Sequence, residues 1–212
     1  MVGKPWEDID YSVVRDHYNH RVDIHRELRR AFEQHDISRY VPLALGISEN
    51  AGNYSAAEHV LGPRVLQHST PEQVFDLAAR LFACNSPAEI PRTIYNAKLP
   101  YLKISVGSEM AAMLRPDVFW VTNVRTVWAH LVIKHDGDIT LANEELSLYR
   151  DQDSDSGMDY SIWSEIHGLV GPSLLRLADL GSEAATKQNN EPGDLTFLWA
   201  DAIADTLYVK YS

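Results

Sequence analysis

The stretch Ser69–Phe82, "STPEQVFDLAARLF", decides the fold class. Thr70 stands where a helix N-cap would be, Pro71 follows at the first helical position, and Gln73 completes a capping box. Together these side chains supply hydrogen-bond partners for amides that would otherwise lack one at the start of a helix. The stretch therefore predicts a helix that begins at Pro71.

The same signature occurs twice more between residues 55 and 89. "NSPAEIPRTIYNA" offers Ser86, Pro87 and Glu89, and "YSAAEHVLGP" offers Ser55 and Glu58 in the same relation. Three helix starts so close together predict a helical first half.

A first long helix is predicted from about Asp10 to His35. One buried stripe at helical spacing would contain Val13, His17, His20, Ile24, Leu28 and Ala31. A second flank of this helix is also apolar, with Val14, Tyr18 and Val22, which is more than one helix contact needs. This second flank predicts self-association, most simply as a homodimer.

The middle of the chain allows two interpretations. Residues 118–142 are rich in valine, threonine and tryptophan, which suits a small hairpin that turns at Asp136 and Gly137. We favour helix, with Gly137 at its end and Thr140 as the cap of the next helix. The residues at helical spacing are Val121, Val124, Trp128, Leu131 and His135.

Two later apolar stretches, "GPSLLRLADLGSEAATKQ" and "PGDLTFLWADAIADTLYVKY", are predicted as helices that begin near their prolines. The sequence thus predicts an all-α fold, a bundle of about eight to ten helices, with a possible small hairpin in residues 118–142. Residues 1–212 are expected to form a single helical domain.

The net charge of −11 is unevenly distributed along the chain. Residues 1–106 carry 12 Lys+Arg and 13 Asp+Glu, whereas residues 107–212 carry 7 and 17. Because an acidic surface repels phosphate backbones and anionic lipids, we expect no binding to free nucleic acid or membranes. A basic protein partner fits this charge, although acidity also serves solubility alone.

The start of the chain, "MVGKPWEDIDY", has no apolar run like that of a signal peptide, and no later window approaches eighteen apolar residues. These features predict a soluble, cytoplasmic protein. Cys84 is the only cysteine, so an intrachain disulfide is impossible, and a small buried side chain is its expected role.

His17 and His20 are candidate metal ligands because they lie three residues apart on one helical face. His59, His130 or His135 would have to complete the site. The alternative is that both histidines are hydrogen-bonded residues of the core or of an interface. No cofactor is expected apart from this possible metal ion.

Asp201 and Asp205 are four residues apart and share a helical face, as paired acid–base or magnesium-binding carboxylates can. A solvated face is the preferred interpretation, because Leu198, Trp199 and Ile203 already account for the apolar side.

Residues 151–162 resemble an EF-hand calcium loop, since Asp151, Asp153, Asp155 and Asp159 match its first, third, fifth and ninth positions. The sixth position is Ser156 instead of glycine, and the twelfth is Ile162 instead of glutamate. We therefore expect weak calcium binding at most, and an acidic turn that caps the following helix.

Phosphate-binding glycine loops, the G-x-S-x-G elbow and H-E-x-x-H are absent from the sequence. This favours a non-catalytic helical interaction module that binds another macromolecule, with Trp120, Trp128, Trp163 and Trp199 as candidate contact residues. The alternative is a metal-dependent enzyme whose His and carboxylate ligands converge only in the folded bundle.

Overall fold

The structure is a computed structural model that describes the backbone of residues 3–150 and 157–212 and the side chains of residues 3–147 and 160–212. Within these ranges it contains eleven α-helices and no strand, which confirms the predicted all-α bundle. Ten of these helices have seven or more residues. The helices are α1 (Tyr11–Glu33), α2 (Ile37–Ala44), α3 (Tyr54–Glu58), α4 (Leu61–His68), α5 (Pro71–Phe82), α6 (Ile90–Ala97), α7 (Ile104–Leu114), α8 (Val124–Lys134), α9 (Ile139–Arg150), α10 (Gly157–Lys187) and α11 (Thr196–Tyr211).

The contacts within the chain divide it into two compact units. Unit 1 takes residues 1–19 and 124–212, and unit 2 takes residues 20–123. Helix α1 begins in unit 1 and ends in unit 2. The single domain expected over residues 1–212 stays a prediction.

Two buried tryptophans anchor the core of unit 1, where α10 packs against α8 and α11. Trp128 and Trp199 are 0% and 1% exposed. Their indole N–H groups donate to Asn143 Oδ1 at 2.6 Å and to Ser182 Oγ at 3.1 Å, so neither ring buries an unpaired polar atom. These two tryptophans therefore serve the core of unit 1 and not a contact with another macromolecule.

Helix α10 is one continuous helix of 31 residues, although a break was predicted before Pro172. Proline removes one amide and displaces the carbonyl four residues earlier, which is that of Gly168. Both residues are exposed, so water can satisfy the freed carbonyl. The prediction of a helix start at this proline was wrong for that reason.

Aromatic rings form the core of unit 2. The ring of Phe32, near the end of α1, lies 5.8 Å from that of Tyr40, 5.3 Å from that of Phe75 and 5.1 Å from that of Phe82 between centroids. These contacts hold α1, α2 and α5 together. Tyr40 is 0% exposed and Phe75 is 3% exposed.

Two of the three predicted capping boxes are confirmed. Thr70 and Gln73 cap α5, and Ser86 and Glu89 form the same box on a short 3-10 turn before α6. The third prediction was wrong: Asn53 caps α3, and its side chain accepts from the amide of Ala56 at 2.9 Å. Ser55 lies inside the helix, and its hydroxyl donates to a carboxylate of α7.

The predicted buried stripe of α1 was wrong in its first half. Val13 is 53% exposed and the His20 side chain is 52% exposed, whereas Val14, Tyr18 and Val22 are buried. The flank with the more apolar side chains faces the core because it removes more apolar surface from water. The flank that suggested a homodimer is therefore covered within the chain itself.

Residues 118–142 contain no strand, so the alternative of a hairpin is excluded there. Helix α8 ends at Lys134, and Gly137 has a φ of +90°, which favours glycine at this stop. Asp138, not Thr140, stands at the start of α9, where its carboxylate accepts from the amide of Leu141 at 3.1 Å.

Candidate functional site

The two histidines predicted as metal ligands have different carboxylate neighbours. Nδ1 of His17 lies 3.3 Å from Oδ2 of Asp205 in unit 1. Nε2 of His20 lies 3.9 Å from Oε1 of Glu49 in unit 2. No group of three or more His, Cys, Asp or Glu residues suited to a metal ion exists among the described residues. Metal binding by His17 and His20 stays a prediction.

Asp205 is the centre of a polar cluster in unit 1. Its carboxylate accepts from Arg125 Nη1 and lies next to the imidazole of His17. Asp201, one turn earlier on α11, is 6% exposed, and the Asp205 side chain is 20% exposed. The interpretation of this pair as a solvated face was therefore wrong. The cluster joins α1, α8 and α11, since it contains one residue from each helix.

Sequence reasoning missed a fully buried ion pair in unit 2. Nη2 of Arg21 donates to Oε1 of Glu109 at 2.9 Å, and their side chains are 0% and 1% exposed. The guanidinium also donates to the carbonyl of Ala51 and lies 4.6 Å from the ring centroid of Tyr54. Burial of two charges is costly unless they are paired and hydrogen-bonded. Because these bonds form only when α1, α3 and α7 keep this arrangement, the network fixes the relative positions of the three helices.

The carboxylate of Glu109 is also the anchor for the start of α3. It accepts from the amide of Tyr54 at 2.8 Å, from the amide of Ser55 at 3.1 Å and from the Ser55 hydroxyl at 2.8 Å. An anion is favourable there because the first amides of a helix have no partner within the helix. One signal pointed to this role: Glu109 is the single charge within the apolar run Val106–Leu114.

Cys84 is 5% exposed, as predicted for a small buried side chain. Its thiol donates to the carbonyl of Arg80 at 3.3 Å. An open depression of about 300 Å³ lies beside it, lined by Arg80, Ala83, Cys84, Glu89, Thr93 and Asn96.

The division into two units separates the charges more completely than the division of the sequence at residue 106. Unit 1 carries 8 Lys+Arg and 19 Asp+Glu, whereas unit 2 carries 11 of each. The whole net charge of −11 therefore belongs to unit 1, since the first nineteen residues join the acidic second half and residues 107–123 leave it. A field of one sign around one unit attracts cationic partners over distances beyond direct contact.

Several acidic side chains of unit 1 are exposed and form no ion pair within the described part of the chain. Helix α10 supplies three of them, and Leu169 and Leu175 on the same helix are 50% and 46% exposed. A partner that approaches such carboxylates does not have to displace a cation already paired with them. They are Asp16, Glu144, Glu165, Asp179 and Glu183.

The predicted calcium loop contains four aspartates. Asp151, Asp153 and Asp155 and the side chain of Asp159 lie outside the described residues. Weak calcium binding by this loop stays a prediction.

No family model, curated protein or solved structure matches this chain. Among the described helices, none is both long enough and apolar enough to cross a membrane.

Proposed function

We propose that this chain is a non-catalytic interaction module that binds a basic macromolecular partner through unit 1. The observation that carries the proposal is the charge division: unit 1 holds an excess of 11 acidic residues, and unit 2 is balanced. Solubility alone requires a net charge on the surface, but it does not require that the whole acidic excess lie on one unit.

Helix α10 provides the surface that we assign to this contact. Asp179 and Glu183 are exposed, lie four residues apart and have no ion pair with any described residue. The exposed Leu169 and Leu175 add apolar area on the same helix. A basic segment with a few apolar side chains would therefore gain both charge attraction and burial.

Self-association is not part of this proposal, because the flank of α1 that suggested a dimer is buried within the chain. The alternative of a metal-dependent enzyme has no group of three candidate ligands among the described residues to support it. Location in the cytoplasm fits the proposal and remains an expectation from the sequence.

The test compares matched variants of the two units against one basic probe. The probe is a fluorescein-labelled amphipathic peptide of lysine and leucine, and the readout is fluorescence anisotropy. Asp179→Asn with Glu183→Gln should weaken its binding roughly 3- to 10-fold, since each exposed charge pair contributes about 0.2–1 kcal/mol. Rising salt should slow association of the parent protein, because it screens the attraction.

The control is Asp76→Asn with Asp117→Asn, which removes the same charge from exposed positions of unit 2. We expect this variant to bind the peptide as the parent does. Equal weakening by both double variants would mean that the peptide senses only total charge, and the assignment to unit 1 would be wrong.

A further inference from the structure

An arginine, a tyrosine and a histidine meet at one place on the surface of unit 2. Cζ of Arg64, on α4, lies 4.2 Å from the ring centroid of Tyr101. The ring of His68, one helical turn further along α4, lies 5.4 Å from the same ring between centroids. Arg64 and His68 are exposed, and Tyr101 is half-buried. We call these three residues the Arg64 cluster.

The guanidinium of Arg64 forms neither a hydrogen bond nor an ion pair with any described residue. Some exposed arginines of unit 2 do have a carboxylate: Arg29 pairs with Glu33 at 2.6 Å, and Arg39 pairs with Glu27 at 2.9 Å. Stacking on Tyr101 covers one face of the guanidinium and leaves the N–H groups at its edge available. Arg64 is therefore oriented by the ring but its donors are not used.

The backbone at Tyr101 is strained. Its φ of +64° lies in the left-handed region that side chains with a Cβ rarely adopt, whereas the left-handed Lys98 nearby is the ordinary C-cap of α6. This conformation holds the Tyr101 ring beneath Arg64, where an unstrained turn would carry glycine or asparagine instead of an aromatic residue. Such strain is commonly found where a backbone positions a ligand-binding group.

The two segments that form the cluster carry charges of one sign. Helix α4 contains no acidic residue, and the connection from Lys98 to Lys103 contains two lysines and no acid. An anion that approaches the Arg64 cluster therefore meets no carboxylate on either of the two segments that form it. This contrasts with unit 2 as a whole, which carries equal numbers of acidic and basic residues.

We propose that the Arg64 cluster binds an oxyanion that has two oxygens in one plane, a carboxylate or a phosphate. Arg64 donates two parallel hydrogen bonds from its edge, Tyr101 keeps the guanidinium in orientation, and His68 supplies one further N–H donor. The site is separate from the proposed contact of unit 1, because it lies on the other unit and attracts the opposite charge.

The test is titration of the ¹⁵N-labelled full chain, followed by nuclear magnetic resonance. Inorganic phosphate and acetate are the two probes, and the signals are the Arg64 Nε–H and the amides of His68 and Tyr101. We expect saturable shifts with a Kd below about 10 mM for at least one probe. The probe that binds more tightly identifies whether the natural ligand carries phosphate or carboxylate.

Two variants of Arg64 separate the effect of its charge from the effect of its planar pair of donors. Arg64→Gln and Arg64→Lys should both raise the Kd about 10-fold, since lysine keeps the charge but loses the planar pair of donors. Arg92→Gln is the matched control, because Arg92 is an exposed arginine of unit 2 with no stacked ring and no ion pair among the described residues. Its Kd should equal that of the parent.

Tyr101→Asn distinguishes a binding role from a purely structural one. Asparagine tolerates the left-handed backbone, and this gain offsets the loss of the half-buried ring, so the urea midpoint should change little, while the Kd should increase as it does for Arg64→Gln. The proposal would be overturned by unsaturable shifts with both probes, or by equal weakening in Arg64→Gln and Arg92→Gln. A fall in the urea midpoint of Tyr101→Asn with unchanged binding would also contradict it.

Discussion

Arg21 and Glu109 form an ion pair that solvent does not reach at either end. Nη2 of Arg21 donates to Oε1 of Glu109 at 2.9 Å, and the two side chains are 0% and 1% exposed. The same carboxylate accepts from two amides at the start of α3. One glutamate therefore links two separate elements of unit 2, α1 and α3, to α7.

Glu109→Ala is expected to lower the free energy of unfolding by about 3–5 kcal/mol, because it leaves the Arg21 guanidinium buried without its counter-charge. Urea denaturation at pH 7 measures this loss. The control is Glu33→Ala, which breaks the exposed pair with Arg29 in the same unit and should cost about 0.3–0.5 kcal/mol. Similar losses for the two variants would show that Glu109 does not anchor the core.

The cap of α3 should be worth more than the cap of α5. Asn53 is 0% exposed, its Oδ1 accepts from the amide of Ala56 at 2.9 Å, and its Nδ2 donates to the carbonyl of Val106 at 3.0 Å. Asn53→Ala should cost about 2–4 kcal/mol, since it removes a cap and leaves buried polar groups unpaired. Thr70→Ala removes an exposed cap and should cost about 1 kcal/mol in the same urea experiment. The prediction fails if both losses are equal.

These two caps differ in how far the sequence alone predicts them. Thr70 was identified because its partner Gln73 is local, only three residues away. Asn53 was missed because Ala56, three residues on, has no polar side chain to complete a capping box, and because its second partner, Val106, is 53 residues away and is known only from the fold. Local hydrogen bonding thus predicted helix starts, and the all-α class followed from them.

The candidate sites depend on contacts between residues that are far apart in the sequence. Glu109 bonds to Arg21 over 88 residues, and no spacing pattern in the sequence joins them. Periodicity on α1 allowed two apolar flanks, and only the packing of unit 1 shows that Tyr18 faces inward while Val13 does not. The sequence revealed only part of the charge division between the units, because the first nineteen residues join the acidic half only in the folded chain.

Gly52 should not accept a methyl group. A Cβ on this residue would lie 1.9 Å from the carbonyl oxygen of Leu43, a backbone atom of α2 that cannot move without the helix. Gly52→Ala should therefore cost about 3 kcal/mol, at the upper end for overpacking. Thermal unfolding followed by circular dichroism measures the effect.

Gly107→Ala is the matched comparison for Gly52→Ala. A Cβ on Gly107 would lie 2.6 Å from both Cδ1 and Cγ1 of Ile94, side-chain atoms that can shift by a smaller rearrangement than a backbone carbonyl. Alanine also gains about 1 kcal/mol over glycine within a helix such as α7, which offsets part of the clash. We expect Gly107→Ala to lose less than half of the stability that Gly52→Ala loses, and the reverse order would contradict the packing.

The free energy of unfolding should decrease as the pH is lowered from 7.5 to 5.5, because of two partly buried histidines. Burial lowers the pKa of His25, whose Nδ1 lies 2.7 Å from the carbonyl oxygen of Met113, and burial also lowers the pKa of His130, near Ser173. In the unfolded chain both titrate near the ordinary value of about 6.5. As the pH falls through that value the unfolded state takes up protons first, so the free energy of unfolding decreases.

Each of these histidines can contribute at most about 1.4 kcal/mol per pH unit, and less here because both rings remain partly solvated. Urea denaturation at several pH values gives the slope, and His25→Asn combined with His130→Asn should flatten it. Carboxylates with lowered pKa, such as Glu145 beside Lys134 and His135, lose their contribution only at lower pH, so they do not interfere in this window. His59→Asn is the control, since it removes an exposed imidazole of unit 2. A slope that is unchanged in the double variant, or flattened equally by His59→Asn, would show that His25 and His130 are not the groups that titrate.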